Sequence, residues 1–184
     1  MSLSPSRRIV RRIVRRIARR AGVAAAVAAV SAAAVLAFAG GPASAKTSTL
    51  HFFSKAQTDL AYHANGQPIT NQNAQPSVGD YFISSDLDYV GNHKSHAKNY
   101  TASDNLACTI TQSSSTSIIG ICDGVIAVGG SMLLANHVTV NLGSNNPTVA
   151  INGGTGQYKN ARGAVVTSAV ANTNNTDFTI TYTT

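Results

Sequence analysis

Ile151-Asn152-Gly153-Gly154-Thr155-Gly156-Gln157-Tyr158-Lys159-Asn160-Ala161-Arg162-Gly163 is the most informative stretch of the chain. Three of its glycines fall within four positions and allow positive φ, which other residues adopt only at a cost. The stretch therefore predicts a structural turn between two strands, residues 148–152 and residues 163–171. The turn residues are Gly153, Gly154, Gly156 and Arg162.

Within this turn, Arg162 is expected to bond turn carbonyls or a nearby aspartate. A phosphate-binding loop is the alternative that glycine-rich sequences raise. Lys159, however, does not stand where a phosphate-loop lysine would, and a β-rich segment follows in place of a helix. The glycines therefore indicate backbone geometry, not anion binding.

The chain from residue 46 onward has the composition and periodicity of a β protein. It contains no glutamate and no tryptophan, whereas Thr, Ser, Asn, Val, Ile and Gly are abundant. Apolar and polar residues alternate over residues 81–89, 137–142 and 178–182, with turn-forming clusters between such segments. We predict an all-β fold, an eight-stranded antiparallel barrel of the up-and-down type, with residues 46–184 as its single domain.

The two cysteines, Cys108 and Cys122, fit one antiparallel hairpin. If they are opposed, Ile110 pairs with Gly120 and Gln112 with Ile118, which leaves the hydroxyl-rich stretch 113–117 as the loop. We predict a structural disulfide, worth about 3 kcal/mol for a loop of this length.

The N-terminal 45 residues have the features of a secretory signal peptide. Eight arginines lie within the first twenty residues, an alanine-rich apolar stretch covers residues 21–40, and Ala43-Ser44-Ala45 forms a small-residue cleavage site. We predict cleavage after Ala45 and a secreted, extracellular domain, with the choice between the Sec and Tat routes open. An uncleaved membrane anchor is the alternative for this stretch; after cleavage no membrane association is expected.

Charge is distributed unevenly along the chain. The overall charge of +7 is concentrated in the N-terminal arginines, and residues 46–184 carry six Lys and Arg against seven Asp, a net charge of −1. A near-neutral domain lacks the basic face that binding to phosphate backbones requires. Nucleic acid is therefore not an expected partner.

The glycine turn strongly resembles the Gly-Gly-Thr-Gly-x-aromatic and Ala-Arg-Gly pattern of the allene oxide cyclase barrel superfamily, which includes the plant dirigent proteins. Residues 78–86 resemble its early barrel strand, residues 108–112 its third strand, and residues 137–140 the strand before the glycine motif. The resemblance implies an eight-stranded antiparallel barrel around a hydrophobic cavity, assembled as a dimer or trimer.

The catalytic residues of that superfamily carry over only in part. The cyclases use a cavity glutamate, asparagine and proline near a cysteine, whereas this chain has no glutamate and places Ile83, Asp86 and Cys108 at the other positions. The dirigent pattern of paired aspartates followed by proline corresponds to residues 85–87, and its basic residue corresponds to Pro147. Allene oxide cyclase activity is not expected, and enzymatic activity of any kind stays open.

Five residues are candidates for a site. Asp86 and His137 are candidate proton donors or acceptors, because a buried carboxyl group or an imidazole can titrate near neutral pH. Tyr81, Tyr89 and Asn141 are candidate ligand contacts. Each has a structural alternative, since Asp86 could face solvent and the others could be packing or surface residues.

Motifs for other chemistries are absent or weak. His93 and His96, with Asp86 and Asp88 upstream, have an intervening lysine and follow a turn signal, so no metal site is predicted. No nucleophile elbow and no paired glutamates occur, which excludes the common hydrolase patterns. No cofactor is expected.

Two functions are compatible with these observations. The first is a secreted barrel that binds a small apolar or phenolic molecule and guides its cyclisation or coupling by cavity shape. The second is a non-catalytic extracellular structural or interaction protein whose barrel is filled by its own side chains. The presence of an interior cavity would favour the first.

Overall fold

The computed structural model describes residues 46–71 and 74–184, and these form an antiparallel β fold with no α-helix in the described part. The strands are β1 (Thr47–Tyr62), β2 (Tyr81–Asn92), β3 (Ser95–His96), β4 (Ala102–Ser113), β5 (Ile118–Val128), β6 (Ser131–Asn141), β7 (Thr148–Ile151), β8 (Gly153–Gly154), β9 (Arg162–Ala169) and β10 (Thr176–Thr183). The predicted all-β class is confirmed. The predicted signal peptide and its cleavage site lie outside the described residues.

One sheet contains the strands in the order β7-β9-β10-β1-β2-β4-β5-β6-β8, and β3 pairs with β2. The two ends of this order, β7 and β8, are separated in the chain by Asn152 alone, so one segment pairs with β9 through its first half and with β6 through its second. The sheet thereby nearly closes into the predicted barrel. It has nine strands in sequence around the sheet where eight were predicted, because the closing segment is divided at Asn152.

Asn152 holds this division together with its side chain. Its backbone N–H donates to the Leu134 carbonyl at 3.0 Å. Its side-chain oxygen accepts from the Asn136 N–H at 2.9 Å, and its side-chain amide donates to the Asn136 carbonyl at 2.7 Å. The side-chain amide thus replaces the pair of backbone hydrogen bonds that a continuous strand would make.

Two β-bulges change which residues face the interior. Between Ala56 and Thr58 the β1 register shifts by one residue. Ser54 and Asp59 therefore both point into the barrel, although in a regular strand an even-numbered and an odd-numbered residue would point to opposite faces. A second bulge lies opposite Asp123, where β6 has an extra residue between Ala135 and Val138. The inward-facing positions of β6 therefore change from odd-numbered to even-numbered residues.

The predicted cysteine hairpin is formed by β4 and β5. Cys108 and Cys122 are opposed and joined by a disulfide, and Ile110 pairs with Gly120, as predicted. Beyond that pair the register shifts by one residue, so Gln112 faces Ile119 and not Ile118. The shift shortens the predicted loop by one residue, because Ser113 pairs with Ile118 as the last residue of β4.

The interior is packed at one end of the barrel. Leu133, Ile180 and Ala161 are at most 1% exposed there, and Tyr158 packs edge-on against Tyr182 with ring centroids 5.4 Å apart. These side chains close that end. Among residues 46–71 and 74–184, no helix has the length and apolar character needed to span a bilayer.

Candidate functional site

The middle of the barrel interior contains an unusual group of polar side chains. Ser54 on β1, Asp86 and Asp88 on β2, and Asp104 on β4 are all at most 6% exposed. Ser54 is directly opposite Asp88, and Asp86 is directly opposite Asp104. Because alternate residues of a strand share a face, Asp86 and Asp88 both point inward. We call these four residues the carboxyl cluster.

Ser54 connects two members of the carboxyl cluster. Its Oγ lies 3.0 Å from Asp86 Oδ2 and 3.2 Å from Asp104 Oδ2. A hydroxyl group has one hydrogen to donate, so it cannot fully satisfy both carboxylates, but it can donate to one and accept from the other if the latter is protonated.

Burial makes protonation favourable in this cluster. Burial, together with the charges of Asp88 and Asp86, raises the pKa of Asp104 well above its ordinary value. Burial also raises the pKa of Asp88 from 3.8 to about 6; the nearby Ser54 and Asp104 side chains oppose this rise, and the Asp86 charge adds to it. A protonated Asp104 can donate to Ser54, which leaves the serine hydrogen for Asp86.

The buried charged residues in the described part of the chain are all aspartates. Lys55, the closest lysine along β1, lies outside the barrel, where its Nζ is 4.2 Å from the centre of the Tyr89 ring. Both carboxylate oxygens of Asp88 are buried and neither makes a hydrogen bond of good geometry, although the Ser54 and Asp104 side chains lie close enough to lower its pKa. The cluster is therefore rich in acceptors and poor in donors.

A cavity of about 160 Å³ lies between the carboxyl cluster and the end of the barrel opposite Tyr158. Asp86 and Asp104 form part of its wall, together with Asp59 and Ser84. Most of the remaining wall is apolar, and is formed by Phe82, Leu106, Val140, Leu142, Val149, Ala169 and Phe178. An apolar cavity of roughly 150 Å³ holds a molecule the size of benzene. This cavity therefore has room for a single-ring ligand.

The structure places only one of the five predicted site residues in this cavity. Asp86 is inside, whereas Tyr81 and Tyr89 are on the outer face of β2, because inward and outward positions alternate. Tyr81 stacks on Tyr62 with ring centroids 5.1 Å apart, and Tyr89 contacts His96 and Tyr100. Both tyrosines take part in surface aromatic clusters and do not contact the cavity.

His137 and Asn141 are also outside. His137 is exposed in the β6 bulge with φ 53°, and its N–H donates to Asp123 Oδ1 at 2.7 Å. Asn141 is exposed at the end of β6, where its side-chain oxygen accepts from the Gly143 N–H at 3.0 Å. Their placement indicates structural roles in a bulge and a turn.

The histidines near β3 have partners other than Asp86 and Asp88. His93 hydrogen-bonds Asp177 on β10 through both its backbone N–H and its ring, and the His96 ring packs 4.7 Å from that of Phe53. Asp86 and Asp88 lie inside the barrel. Within residues 46–71 and 74–184, no group of three His, Cys or Asp side chains is arranged to bind a metal ion.

Sequence reasoning missed Asp88, Asp104, Ser54 and Asp59 as interior residues. Asp88 is two residues from Asp86 on the same strand and therefore on the same face, which the sequence alone indicates. Asp104 could have been found by pairing β2 with β4, but that register is not evident from one sequence. Asp59 is placed inside by the β1 bulge.

The glycine turn has the geometry its sequence indicates. Gly156 has a φ of 56°, and a Cβ at Gly154 would lie 2.1 Å from the Tyr158 carbonyl oxygen. Arg162 donates to the Ala161 carbonyl at 2.8 Å. The turn carries the chain from β8 to β9 and positions Tyr158 in the closed end of the barrel.

No family model matches the chain, and no curated protein matches it. The chain does match solved structures. The chain is similar to pyocyanin demethylase, with a TM-score of 0.55 and 23% identity over 73% of this chain and 99% of that chain. It is also similar to the pterocarpan synthase dirigent protein GePTS1, with a TM-score of 0.52 and 19% identity over 75% of this chain and 84% of that chain. At these identities the similarity establishes a shared fold.

Proposed function

The chain has the allene oxide cyclase and dirigent-like barrel fold, and from this premise we propose that it binds a small apolar or phenolic molecule in its interior cavity. We further propose that the cavity guides cyclisation or coupling of this molecule. Shape would hold the reactive conformer, and the carboxyl groups of Asp86 and Asp104 would supply or remove a proton.

The observation that carries the proposal is the combination of an apolar cavity with two buried carboxyl groups in its wall. Ligand sites are typically concave and mostly apolar, with a few polar groups that fix orientation. Asp86 and Asp104 are the polar groups here, and Ser54 joins them. The two similar structures, named as a demethylase and a pterocarpan synthase, are consistent with small-molecule chemistry on this fold.

The two carboxyl groups would have different roles. Because its pKa is raised, Asp104 is the natural proton donor to a carbonyl or phenolic oxygen at the base of the cavity. Asp86 receives a hydrogen bond from Ser54, so it is suited to accept a proton or to stabilise a positive centre that develops in the ligand.

We propose that this domain works outside the cell, after export and cleavage following Ala45. A disulfide between Cys108 and Cys122 supports this proposal, because disulfides persist in oxidising compartments. N-terminal sequencing of the protein recovered from the culture medium tests it directly.

The binding proposal is tested by native mass spectrometry of protein purified from its own host, which also reports the number of subunits. A bound small molecule that is released on denaturation would identify the ligand class. Asp86→Asn and Asp104→Asn should weaken its binding about tenfold each, as expected for loss of a hydrogen bond or charge interaction. Asp177→Asn, which changes an aspartate on the outer face, is the matched control and should retain full binding.

A protein that carries no ligand and binds none from a panel of single-ring apolar and phenolic compounds would contradict the proposal. The second function, a structural or interaction protein, would then remain. It is favoured by one observation, the dense packing of Tyr158, Leu133 and Ile180 in the closed half of the barrel.

A further inference from the structure

We propose that a second, smaller cavity in the barrel receives a short alkyl substituent of the ligand, so that the favoured ligand is a single ring that carries a chain of about two carbons. This inference rests on the proposed function, because it names the ligand class for the same interior. We call the cavity of about 160 Å³ described above the outer cavity, and the smaller one the inner cavity.

The inner cavity has a volume of about 60 Å³ and extends to the packed half of the barrel. Leu133 and Ile151, which are at most 3% exposed, form part of its wall. Most of the remaining wall is also apolar, and is formed by Leu106, Ile126, Ala135, Val149, Val165 and Phe178. Apolar cavities stay dry, because a water molecule needs polar partners. An apolar group is therefore the occupant that this space favours.

Two small residues create the inner cavity. Gly124 on β5 is opposite both Leu106 on β4 and Ala135 on β6, so these three residues form one row across the sheet. In the next row Ile126 is opposite Leu133, and both large side chains are buried. A Cβ at Gly124 would lie 3.1 Å from Leu106 Cδ1 and 3.5 Å from Ala135 Cβ. The cavity thus lies where two neighbouring strands supply no large side chain.

The inner and outer cavities are adjacent. Five residues line both of them: Asp104, Leu106, Val149, Thr167 and Phe178. Leu106 and Phe178 are only partly buried, and each has several rotamers, so they can adjust to a chain that passes between the cavities. A substituent on a ring in the outer cavity can therefore reach the inner cavity directly.

Chain length is the ligand property that this arrangement selects. Each methylene group buried in an apolar site strengthens binding about fourfold. A cavity of roughly 150 Å³ holds the six carbons of benzene, so the 60 Å³ of the inner cavity accommodates about two carbons. Affinity should therefore rise over the first two carbons of the chain and then stop rising, because a longer chain finds no further space.

A series of para-substituted phenols tests this inference, because the ring and the hydroxyl group stay constant while the chain grows. Calorimetric titration of the purified protein at pH 7.5, where these phenols are uncharged, should show about fifteenfold tighter binding of 4-ethylphenol than of phenol. The affinity for 4-butylphenol should be no higher than that for 4-ethylphenol. An affinity that is independent of the chain, or that keeps rising through 4-butylphenol, would overturn the inference and leave the proposed function standing.

Ala135→Val adds two methyl groups to the wall of the inner cavity. It should reduce the affinity for 4-ethylphenol to that for phenol, and leave phenol binding unchanged. Ala107→Val, on the exposed outer face of β4, is the matched control and should keep the preference for 4-ethylphenol. A preference that survives in Ala135→Val would overturn the inference.

Failure of every phenol in the series to bind at millimolar concentration would overturn the proposed function as well. The chain-length series of the unmutated protein provides the test even if Ala135→Val does not fold.

Discussion

Replacing Asp88 by asparagine should stabilise the protein, and the gain should grow as the pH rises. Burial raises the pKa of Asp88 from 3.8 to about 6. Below pH 3.8 the carboxyl group is protonated in both the folded and the unfolded chain, so it carries no penalty. Between pH 3.8 and about 6 the unfolded chain ionises first, and folding loses free energy.

The size of the effect follows from the same values. Each pKa unit corresponds to about 1.4 kcal/mol, so Asp88 should cost about 3 kcal/mol of stability above pH 7. Asparagine keeps the shape of the protonated acid without titrating. The free energy of unfolding of Asp88→Asn should therefore exceed that of the unmutated protein by about 3 kcal/mol more at pH 7.5 than at pH 3.5.

Urea unfolding of both proteins, with the disulfide intact, at four pH values between 3.5 and 7.5 provides the measurement. Asp177→Asn is the control, because Asp177 is an outer-face carboxylate paired with His93. A stability difference between Asp88→Asn and the unmutated protein that stays constant with pH, or shrinks as pH rises, would refute the assignment of Asp88 as a buried group without a counter-charge.

Three further outcomes are expected. Replacing both Cys108 and Cys122 by alanine should lower the free energy of unfolding by about 3 kcal/mol, measured by urea unfolding, and no loss would show that the bond does not constrain the unfolded chain. Gly156→Ala and Gly129→Ala both place a side chain at a φ near +55°, but only at Gly156 would the new Cβ lie 2.3 Å from a neighbouring side chain. Gly156→Ala should therefore lower the free energy of unfolding by about 2 kcal/mol more than Gly129→Ala, measured by thermal unfolding. Equal losses would contradict the packing around Gly156. Ala169→Phe, at the exposed rim of the cavity, should abolish binding of single-ring ligands in NMR titrations while leaving the melting temperature within a few degrees, and unchanged binding would place the ligand elsewhere.

The fold was largely predictable because its signals are local. Alternation, the glycine turn and the opposed positions of the two hairpin cysteines each depend on short stretches of chain. The predicted pairs Cys108 with Cys122 and Ile110 with Gly120 are confirmed. The division at Asn152 was not predictable, since it depends on a side chain that replaces backbone hydrogen bonds across the sheet.

The candidate site was much less predictable, because it depends on which face of β2 points inward. One face carries Tyr81, Ile83, Leu87 and Tyr89, and the other carries Phe82, Ser84, Asp86 and Asp88. Hydrophobicity alone places the first set in the interior, but the barrel encloses the second. On this strand polar groups point inward and tyrosines point outward, which reverses the usual rule, and one sequence does not reveal the reversal.

Bulges explain the remaining differences. His137 has the sequence of a mid-strand residue, but the extra residue in β6 turns it outward with a positive φ. The bulge in β1 has the opposite effect and brings Asp59 to the interior. Because each bulge reverses the inward phase of the rest of its strand, parity arguments fail beyond it.

The pairing of β1 with β10 joins the two ends of the domain, with Thr47 opposite Thr183. The contact that connects the first and last strands therefore has the greatest separation along the chain, and it cannot form until the last strand has been synthesised and released. A chain lacking its final nine residues would lose β10, an interior strand of the sheet, and would leave two long unpaired edges, which favour aggregation. Folding of this barrel is thus committed only once both of these strands are available.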